Sequence, residues 1–276
     1  MKKMMMILCL SAAFVLCGCG GGEKQTAALT NAAENSKPAE DSIDYASLDS
    51  TGSGWGFVRK KGAPPDIPAA QSDMLEKYGG CWIDRSGEKK LFLTFDEGYE
   101  NGFTAVILDV LAKTQTPAAF FVTGPYLDGQ GELIKRMIDE GHVVGNHTVH
   151  HLNLPNQPVE TVQSEISQLN EKCMSLYGYT MTYMRPPEGE FSERSLAATN
   201  ALGMKTVMWS FAYKDWDVHS QRGAAYAYES VMPYLHDGAV ILLHAVSSDN
   251  ASALERVIND AKALGYAFKS LDELEV

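Results

Sequence analysis

From Leu91 to the C-terminus, short apolar segments alternate with segments whose apolar residues recur at helical spacing. The pattern predicts strands at residues 91–95, 118–123, 143–144, 181–185, 205–211, 239–244 and 267–269. It predicts helices at residues 103–114, 132–140, 158–177, 193–202, 226–236 and 252–264. Repeated βα units of this length predict an α/β fold, with a mainly parallel sheet that closes or nearly closes into a barrel.

The composition supports one folded domain and excludes one class of partner. A chain of 276 residues with 45% hydrophobic residues can bury a proper core, and its length fits one α/β domain with tails. The 23 Lys and Arg against 35 Asp and Glu give a net charge of −12. Such a surface repels phosphates, so we exclude nucleic-acid binding.

The first residues have the pattern of a signal peptide, predicted for residues 1–18. Lys2 and Lys3 precede an apolar segment that is too short to span a membrane. The segment ends in LCGC at residues 16–19, which resembles a bacterial lipobox and predicts a lipid on Cys19. The protein would then be anchored to the outer face of the cell membrane. The alternative is an ordinary secretory signal and a secreted protein.

Two segments lie between the signal and the domain. Residues 19–50 are poor in large apolar side chains, which predicts a flexible tether after the lipidated cysteine. Residues 51–90 are rich in Gly and Pro but contain aromatic residues, so we expect an irregular N-terminal extension with a short helix at 73–78. The domain itself is assigned to residues 91–276. The extension contains Cys81 and the domain contains Cys173. We expect both cysteines to be unpaired, and the alternative is one disulfide between them.

The segment LFLTFDEGYENG, residues 91–102, ends a predicted strand in two carboxylates, Asp96 and Glu97. On their own, such acidic residues commonly solvate a loop. Other predicted strands, however, also end in reactive side chains, at His147 with His151, at Arg185, at His244, and at Asp215 with Trp216. In a barrel these ends meet on one face, which predicts an enzyme.

His147 and His151 are spaced i, i+4, which on one helical turn puts both imidazoles on one side. The alternative is a structural pair, and His150 between them is expected to support the pair or lie on the surface. Two His and a carboxylate with open positions suit Zn²⁺ or a similar divalent ion, which would activate a bound water.

Five segments in order resemble the motifs of the polysaccharide deacetylases (carbohydrate esterase family 4, NodB homology). They are TFDEGYEN, NHTVHH, MRPPEGEF, WSFAYKDWD and ILLHAVSSDNA. The flanking GYENG, RPPEGEFSERSL and SSDNASAL resemble the δ-lactam-biosynthetic de-N-acetylases of the bacterial spore cortex. The resemblance runs from Trp55 to the C-terminus and implies a distorted NodB-type (β/α) barrel of seven strands.

The resemblance implies metal-assisted hydrolysis of an N-acetyl group on a glycan. His147 and His151 would hold a divalent metal, Zn or alternatively Mn or Co. Asp96 would be the general base and His244 the general acid. Arg185 would orient Asp96 and keep it ionised.

Four further residues receive roles from the same resemblance. Asp215 would hold His244 in its charged form, and Trp216 with Leu242 would form an apolar wall for the acetyl methyl group. The alternative for Trp216 is an ordinary core aromatic. Glu97 occupies a position where most members have Asp as third metal ligand, so we expect it to ligate with altered affinity or else to hydrogen-bond a metal-bound water.

The expected substrate is peptidoglycan, at N-acetylmuramic acid whose peptide has been removed, where the freed amine can cyclise to muramic δ-lactam during sporulation. The alternatives are a deacetylase of N-acetylglucosamine or another polysaccharide, and a catalytically silent wall-binding lipoprotein. We expect a monomer. A serine hydrolase is rejected because no G-x-S-x-G surrounds Ser210 or Ser247, and His142, His219 and His236 are expected on the surface.

Overall fold

The structure is a computed structural model that describes residues 43–276. The predicted signal peptide, the lipid on Cys19 and most of the tether lie outside the described residues. Ile43–Val276 form a single unit of the fold. In this part of the chain, none of the helices has the length and apolarity that crossing a bilayer requires.

The extension predicted for residues 51–90 contains three short strands and one helix. These are β1 (Ser53–Gly54), β2 (Val58–Lys60), β3 (Ala63–Asp66) and α1 (Ala69–Lys77). Helix α1 begins earlier than the predicted residue 73, directly after Pro68, whose fixed φ suits the start of a helix. Trp55 is buried and its indole N–H donates to the backbone oxygen of Trp209 at 2.8 Å, which packs the extension onto the domain.

The domain contributes eight strands, β4 (Lys90–Glu97), β5 (Ala119–Val122), β6 (Val143–Asn146), β7 (Tyr183–Met184), β8 (Glu190–Phe191), β9 (Lys205–Thr206), β10 (Ala239–His244) and β11 (Ala267–Phe268). Seven of them form the central parallel sheet, in the order β10-β4-β5-β6-β7-β9, with β11 also paired to β4. The eighth strand, β8, lies outside this sheet and pairs with β1. A parallel bridge from Phe211 to Ile241 joins the chain after β9 to β10, at the other end of the row. The sheet is therefore curled, and the predicted distorted, mainly parallel barrel is confirmed.

The strand predicted at 205–211 is shorter in the structure. The backbone N–H groups of Ser210 and Phe211 both donate to the carbonyl oxygen of Val240, at 3.0 and 3.2 Å. One acceptor shared by two consecutive donors interrupts a regular ladder, so regular pairing is confined to β9.

Seven helices follow the extension. They are α2 (Thr104–Thr114), α3 (Gly124–Gly129), α4 (Gly131–Asp139), α5 (Val159–Tyr177), α6 (Glu193–Ala201), α7 (Ala224–Val231) and α8 (Ser248–Ala263). Helix α3 was not predicted. Helix α7 ends before the predicted residue 236 because Pro233 lacks an N–H and lies in the 3₁₀ turn that follows. Helix α8 begins before the predicted residue 252 because the Ser247 hydroxyl accepts the N–H of Asn250 and caps the helix.

The side chains of β4 alternate between two buried clusters. Phe95 packs with apolar residues of the surrounding helices, whereas Phe92 packs with residues in the interior of the curled sheet. Because successive strand residues face opposite sides, Asp96 points to the interior and Glu97 points towards the helices. This alternation determines which of the two carboxylates can reach the site.

Two of the three histidines expected on the surface are buried, so that prediction is wrong for His142 and His236, while His219 is exposed. His236 can be buried because its ring has polar partners, with Nε2 at 2.8 Å from the Ser210 hydroxyl oxygen. Ser210 is itself buried, so this Ser–His contact has no access to a substrate.

Cys81 and Cys173 are both buried and free, as predicted. Burial raises the pKa of each thiol to about 11. Both thiols are therefore protonated at neutral pH and packed as small apolar groups.

Candidate active site

A cleft of about 600 Å³ lies where the parallel strands end. Six predicted site residues line it: Asp96, His147, His151, Trp216, Leu242 and His244. Arg185 and Asp215 are buried behind these residues and contact them directly.

Asp96 and His244 are neighbours in the parallel register of β4 and β10. His147 follows β6 directly, and its Nε2 atom lies 3.8 Å from Oδ2 of Asp96. The ring centroids of His147 and His151 are 4.8 Å apart. The structure therefore brings a carboxylate, two paired imidazoles and a third imidazole to one face of the sheet.

Arg185 is fully buried beneath the cleft and makes several hydrogen bonds. Its Nη1 donates to Oδ1 of Asp96 at 2.7 Å and to the hydroxyl of Thr94 at 2.9 Å, and its Nε donates to the backbone oxygen of Val207 at 3.0 Å. The guanidinium lies 4.2 Å from the ring centroid of Phe121. These contacts fix the planar guanidinium of Arg185, which in turn fixes the position of the Asp96 carboxylate.

The charges around Asp96 keep it ionised. Burial alone would raise the pKa of this carboxyl, but Arg185 and, to a smaller degree, His147 and His244 outweigh it, so the pKa is lowered from 3.8. Asp96 is therefore a carboxylate at neutral pH, able to accept a proton.

His147 presents a neutral nitrogen to the cleft. Its Nδ1 lies 2.8 Å from the backbone oxygen of Arg185, and because a carbonyl only accepts, Nδ1 carries the hydrogen and Nε2 has a free lone pair. Burial lowers the pKa of His147 to about 4, against the opposing effect of Asp96. This is the protonation state that a metal ligand needs.

His147 and His151 lie in a loop after β6, so the helical turn assumed from their spacing is wrong. The loop turns through two residues with positive φ, Thr148 at 66° and His151 at 56°. The Asn146 side chain accepts the Thr148 N–H at 2.8 Å, and the Thr148 hydroxyl accepts the His151 N–H at 3.0 Å. These side-chain bonds, which replace the helical ones, bring the two rings together.

His150 is exposed but ties the same loop to α5. Its ring Nδ1 lies 2.6 Å from Oε1 of Glu165, and its backbone N–H donates to Oε2 at 2.7 Å. Glu165 is buried on α5. The contact supports the loop that carries the imidazole pair.

Asp215 holds His244 through both of its oxygens. Oδ1 lies 2.7 Å from Nδ1 of His244, and Oδ2 accepts the backbone N–H of His244 at 2.8 Å. The Asn250 amide also donates to Oδ2, at 2.6 Å, and the hydroxyl of Tyr213 donates to Oδ1 of Asn250. The carboxylate is thus fixed from three sides.

This environment favours the charged form of His244. Burial alone would lower the pKa of the imidazole, but the hydrogen bond and the charge of Asp215, followed by the charge of Asp96, raise it above 6.5. An imidazolium with a free Nε2–H is the form that can donate a proton into the cleft.

Trp216 and Leu242 both line the cleft and supply apolar surface to it. Leu242 is buried in β10, whereas Trp216 is 54% exposed and is therefore not a core aromatic. The amine of Lys214 lies 5.0 Å from the Trp216 ring centroid.

Comparison with known proteins gives the same assignment as this geometry. The family model described as polysaccharide deacetylase matches residues 84–207. The chain is 45% identical over 222 residues to PdaA, the peptidoglycan-N-acetylmuramic acid deacetylase of Bacillus subtilis, which covers 80% of this chain and 84% of the relative. The chain belongs to the polysaccharide deacetylase family.

One solved structure and one further relative extend the comparison. The solved structure of Bacillus subtilis PdaA, a family 4 carbohydrate esterase, has a TM-score of 0.80 at 44% identity and covers 82% of this chain and 98% of that chain. A peptidoglycan-N-acetylglucosamine deacetylase from Bacillus cereus is 31% identical over 204 residues, which cover 72% of this chain and 73% of the relative.

Glu97 is the one predicted site residue of this polysaccharide deacetylase that the structure does not bring to the cleft. It has no exposed surface, and neither carboxylate oxygen has a hydrogen-bond partner within residues 43–276. Burial, followed by the charges of Glu100 and Asp96, raises its pKa well above 4.5. Within the same range, no three His, Cys, Asp or Glu side chains form a potential metal cluster. In this structure Glu97 therefore forms no three-residue cluster with the imidazole pair.

Replacing Glu97 by Gln is expected to remove a pH dependence of stability and to leave metal content unchanged. With a folded-state pKa above the unfolded value of about 4.5, folding takes up a proton, so wild-type stability falls as pH rises above that value. One such group contributes up to about 1.4 kcal/mol per pH unit. Urea unfolding between pH 5 and 8 measures the slope in both proteins. If the free energy of unfolding changes equally with pH in wild type and Glu97→Gln, this placement of Glu97 is wrong. It is also wrong if Glu97→Gln loses metal as His147→Ala does.

Several contributing residues of this polysaccharide deacetylase were not singled out from the sequence. Tyr213 lines the cleft and Asn250 lies behind it, and both fall within the motif segments, which could have indicated them. Trp209 and Glu188 also line the cleft. Glu165 lies within a helix, where nothing in the local pattern distinguishes it from a solvent-facing residue.

Proposed function

We propose that this chain hydrolyses the N-acetyl groups of peptidoglycan glycan strands, with N-acetylmuramic acid lacking its peptide as the substrate. The observation that carries the proposal is the pairing of an ionised Asp96 with a His244 held in its charged form, side by side in register beside two imidazoles. The name of the relative PdaA supports the choice of muramic acid.

Asp96 and His244 would each carry out one of the two proton transfers of amide hydrolysis. Asp96 would accept a proton from the water that attacks the acetyl carbonyl carbon, with Arg185 fixing the carboxylate. His244 would give its Nε2 proton to the amide nitrogen as the C–N bond breaks, with Asp215 stabilising the imidazolium. The products are acetate and a glycan with a free amine. Trp216 and Leu242 would enclose the acetyl methyl group.

The donor set at the cleft fits a divalent cation in part. His147 is neutral with a free Nε2, and His151 lies beside it with its ring towards the same cleft, so both would hold the ion. Nitrogen ligands and open positions favour Zn²⁺, with Mn²⁺ or Co²⁺ as alternatives. When bound, such an ion lowers the pKa of water and polarises a carbonyl.

A protein acting on peptidoglycan works outside the cytoplasm, and we propose that it does so as a monomer anchored by a lipid on Cys19. The support for the anchor is the segment LCGC at residues 16–19 after a short apolar stretch. The role in sporulation rests on the motif resemblance alone. Growth with a labelled fatty acid, comparing wild type with Cys19→Ala, tests the anchor.

One alternative substrate has a specific observation in its favour. The Bacillus cereus relative is named as an N-acetylglucosamine deacetylase, and its similarity covers 72% of this chain. A catalytically silent wall-binding protein is disfavoured because Asp96, Arg185 and His244 all keep the geometry of an active site.

The test is acetate release from peptide-free peptidoglycan, followed by mass spectrometry of the digested glycan. We expect acetate release and muramic δ-lactam, at least about tenfold less acetate after treatment with a chelator, and recovery on adding Zn²⁺. Acetate from glycans that contain only N-acetylglucosamine, without lactam, would favour the alternative substrate. No acetate from any glycan, with metal supplied, would favour the silent protein.

A further inference from the structure

The proposed substrate differs from N-acetylglucosamine by one charged group. Muramic acid carries a lactyl ether at C3, next to the C2 carbon that bears the N-acetyl group, and without its peptide the lactyl group ends in a carboxylate. The reacting acetyl group and this anion are therefore only a few ångströms apart. A site that prefers this sugar needs a cation at the rim of the cleft beside the catalytic acid.

The overall charge of the protein does not attract an anion, because the net charge is −12. A specific positive side chain is therefore needed at the cleft. The cleft is lined by carboxylates as well, at Asp96 and Glu188. Arg185 is the cation nearest the reacting groups, but it is fully buried and its Nη1 is bound to Asp96. It cannot meet a substituent of the sugar.

Lys214 is a cation beside the wall of the cleft, next to the Trp216 ring. It lies in the loop between β9 and α7, between Tyr213 and Trp216, which both line the cleft. Its side chain is 63% exposed, and its amine lies 5.0 Å from the Trp216 ring centroid. Its ion pair with Asp217, at 3.5 Å, is exposed on the lysine side and therefore weak, so the amine can exchange that partner for a substrate anion.

The loop that carries Lys214 is fixed to the catalytic acid. The next residue, Asp215, is buried and binds both the ring and the backbone N–H of His244. The Gln221 amide donates to the backbone oxygens of Asp215 and Asp217, at 3.1 and 2.9 Å. These bonds fix the backbone that carries Lys214 beside the group that would protonate the C2 nitrogen, and the C3 substituent must lie close to that nitrogen.

We propose that Lys214 binds the lactyl carboxylate of a peptide-free muramic acid residue and so determines which sugar the cleft prefers. N-Acetylglucosamine lacks the anion, and an attached peptide converts it to a neutral amide, so both lose this contact. The carboxylate of Glu188, on a different loop of the cleft, repels the anion and favours the orientation that places it at Lys214. This inference rests on the proposed deacetylase function.

The experiment compares two glycans that differ only in charge: peptide-free peptidoglycan and the same material with its lactyl carboxylates methyl-esterified. The readout is a ratio: kcat/KM for acetate release from the peptide-free glycan, divided by kcat/KM for the methyl-esterified glycan. In Lys214→Gln this ratio should fall about fivefold relative to wild type, the size expected of one exposed ion pair, and the change should lie in KM. Lys214→Arg should keep most of the preference.

Lys135→Gln is the matched control. Lys135 is 64% exposed and pairs with Asp139 at 2.5 Å, but it lies on the outer helix α4, so the variant makes the same change in net charge away from the cleft. Its ratio should equal that of wild type. An unchanged ratio in Lys214→Gln, or an equal fall in Lys135→Gln, would overturn the role of Lys214 while leaving the deacetylase intact. If wild type releases no acetate from either glycan, the proposed function fails, and this inference fails with it.

Discussion

Replacing Asp96 by Asn is expected to lower acetate release by about a thousandfold, the scale of a lost general base. An amide has almost the same shape as a carboxylate and can still accept a hydrogen bond from Arg185, but it cannot take up a proton. The change should therefore appear in kcat, with little change in KM. The measurement is steady-state acetate release at pH 7, together with metal content.

Asp109→Asn is the matched control for this substitution. Asp109 also pairs with an arginine, Arg136, at 2.8 Å, but it lies on α2 with its side chain 72% exposed, away from the cleft. This variant should keep wild-type activity. Activity of Asp96→Asn within tenfold of wild type, in folded protein with normal metal content, would remove Asp96 from the role of base.

The sequence predicted which residues meet, and the reason lies in the topology. Parallel strands deliver their carboxyl ends to one edge, so the sequence alone predicts that the residues at the ends of β4 and β10 meet, as they do in register. The same topology places Arg185 and Asp215 on this face, the motif resemblance implies their supporting roles, and both contact the residues they are expected to support.

What the sequence did not predict is the direction of individual side chains. Glu97 follows Asp96 in the same strand, and strand alternation turns it towards the helices. The resemblance assigns Glu97 the position of a metal-ligating aspartate, whereas β4 extends through both carboxylates. The regular alternation of the strand therefore turns the Glu97 side chain away from that of Asp96, which similarity to an aspartate position does not reveal.

Local side-chain hydrogen bonds explain the other difference at the site. The i, i+4 spacing of His147 and His151 predicted their proximity correctly but through a helical turn. The actual loop depends on bonds from Asn146 and Thr148 and on positive φ at two residues that are not glycine. Such conformations are uncommon for these residue types and cannot be deduced from spacing.

The buried histidines illustrate a limit of arguments from motif context. His142 and His236 have no motif around them, and isolated polar residues are usually exposed. Both have a tertiary or backbone partner: the Ala118 N–H donates to Nδ1 of His142, whose Nε2 has no hydrogen-bond partner in the described residues, and the Ser210 hydroxyl lies beside Nε2 of His236. Those partners lie more than twenty residues away in the chain, beyond any local pattern.

Replacing Asp215 by Asn is expected to move the alkaline limb of the kcat/KM profile to lower pH and to reduce the rate at pH 7.5 about a hundredfold. Burial would lower the pKa of His244, and the wild-type protein counters this mainly through Asp215. Asn keeps an acceptor for the ring Nδ1–H but removes the charge, so the pKa of His244 should fall. Since a general acid must be protonated, activity is then lost at a lower pH than in wild type.

The measurement is the pH profile of kcat/KM between pH 5 and 9, and Asp249→Asn is the control. Asp249 is another buried acid of the same region, but its carboxylate accepts the backbone N–H of Arg222 at 2.6 Å and does not contact His244. Its alkaline limb should coincide with that of wild type. If Asp215→Asn retains the wild-type limb while its rate falls, Asp215 acts by positioning the imidazole alone, and the charged His244 loses its assigned role as acid.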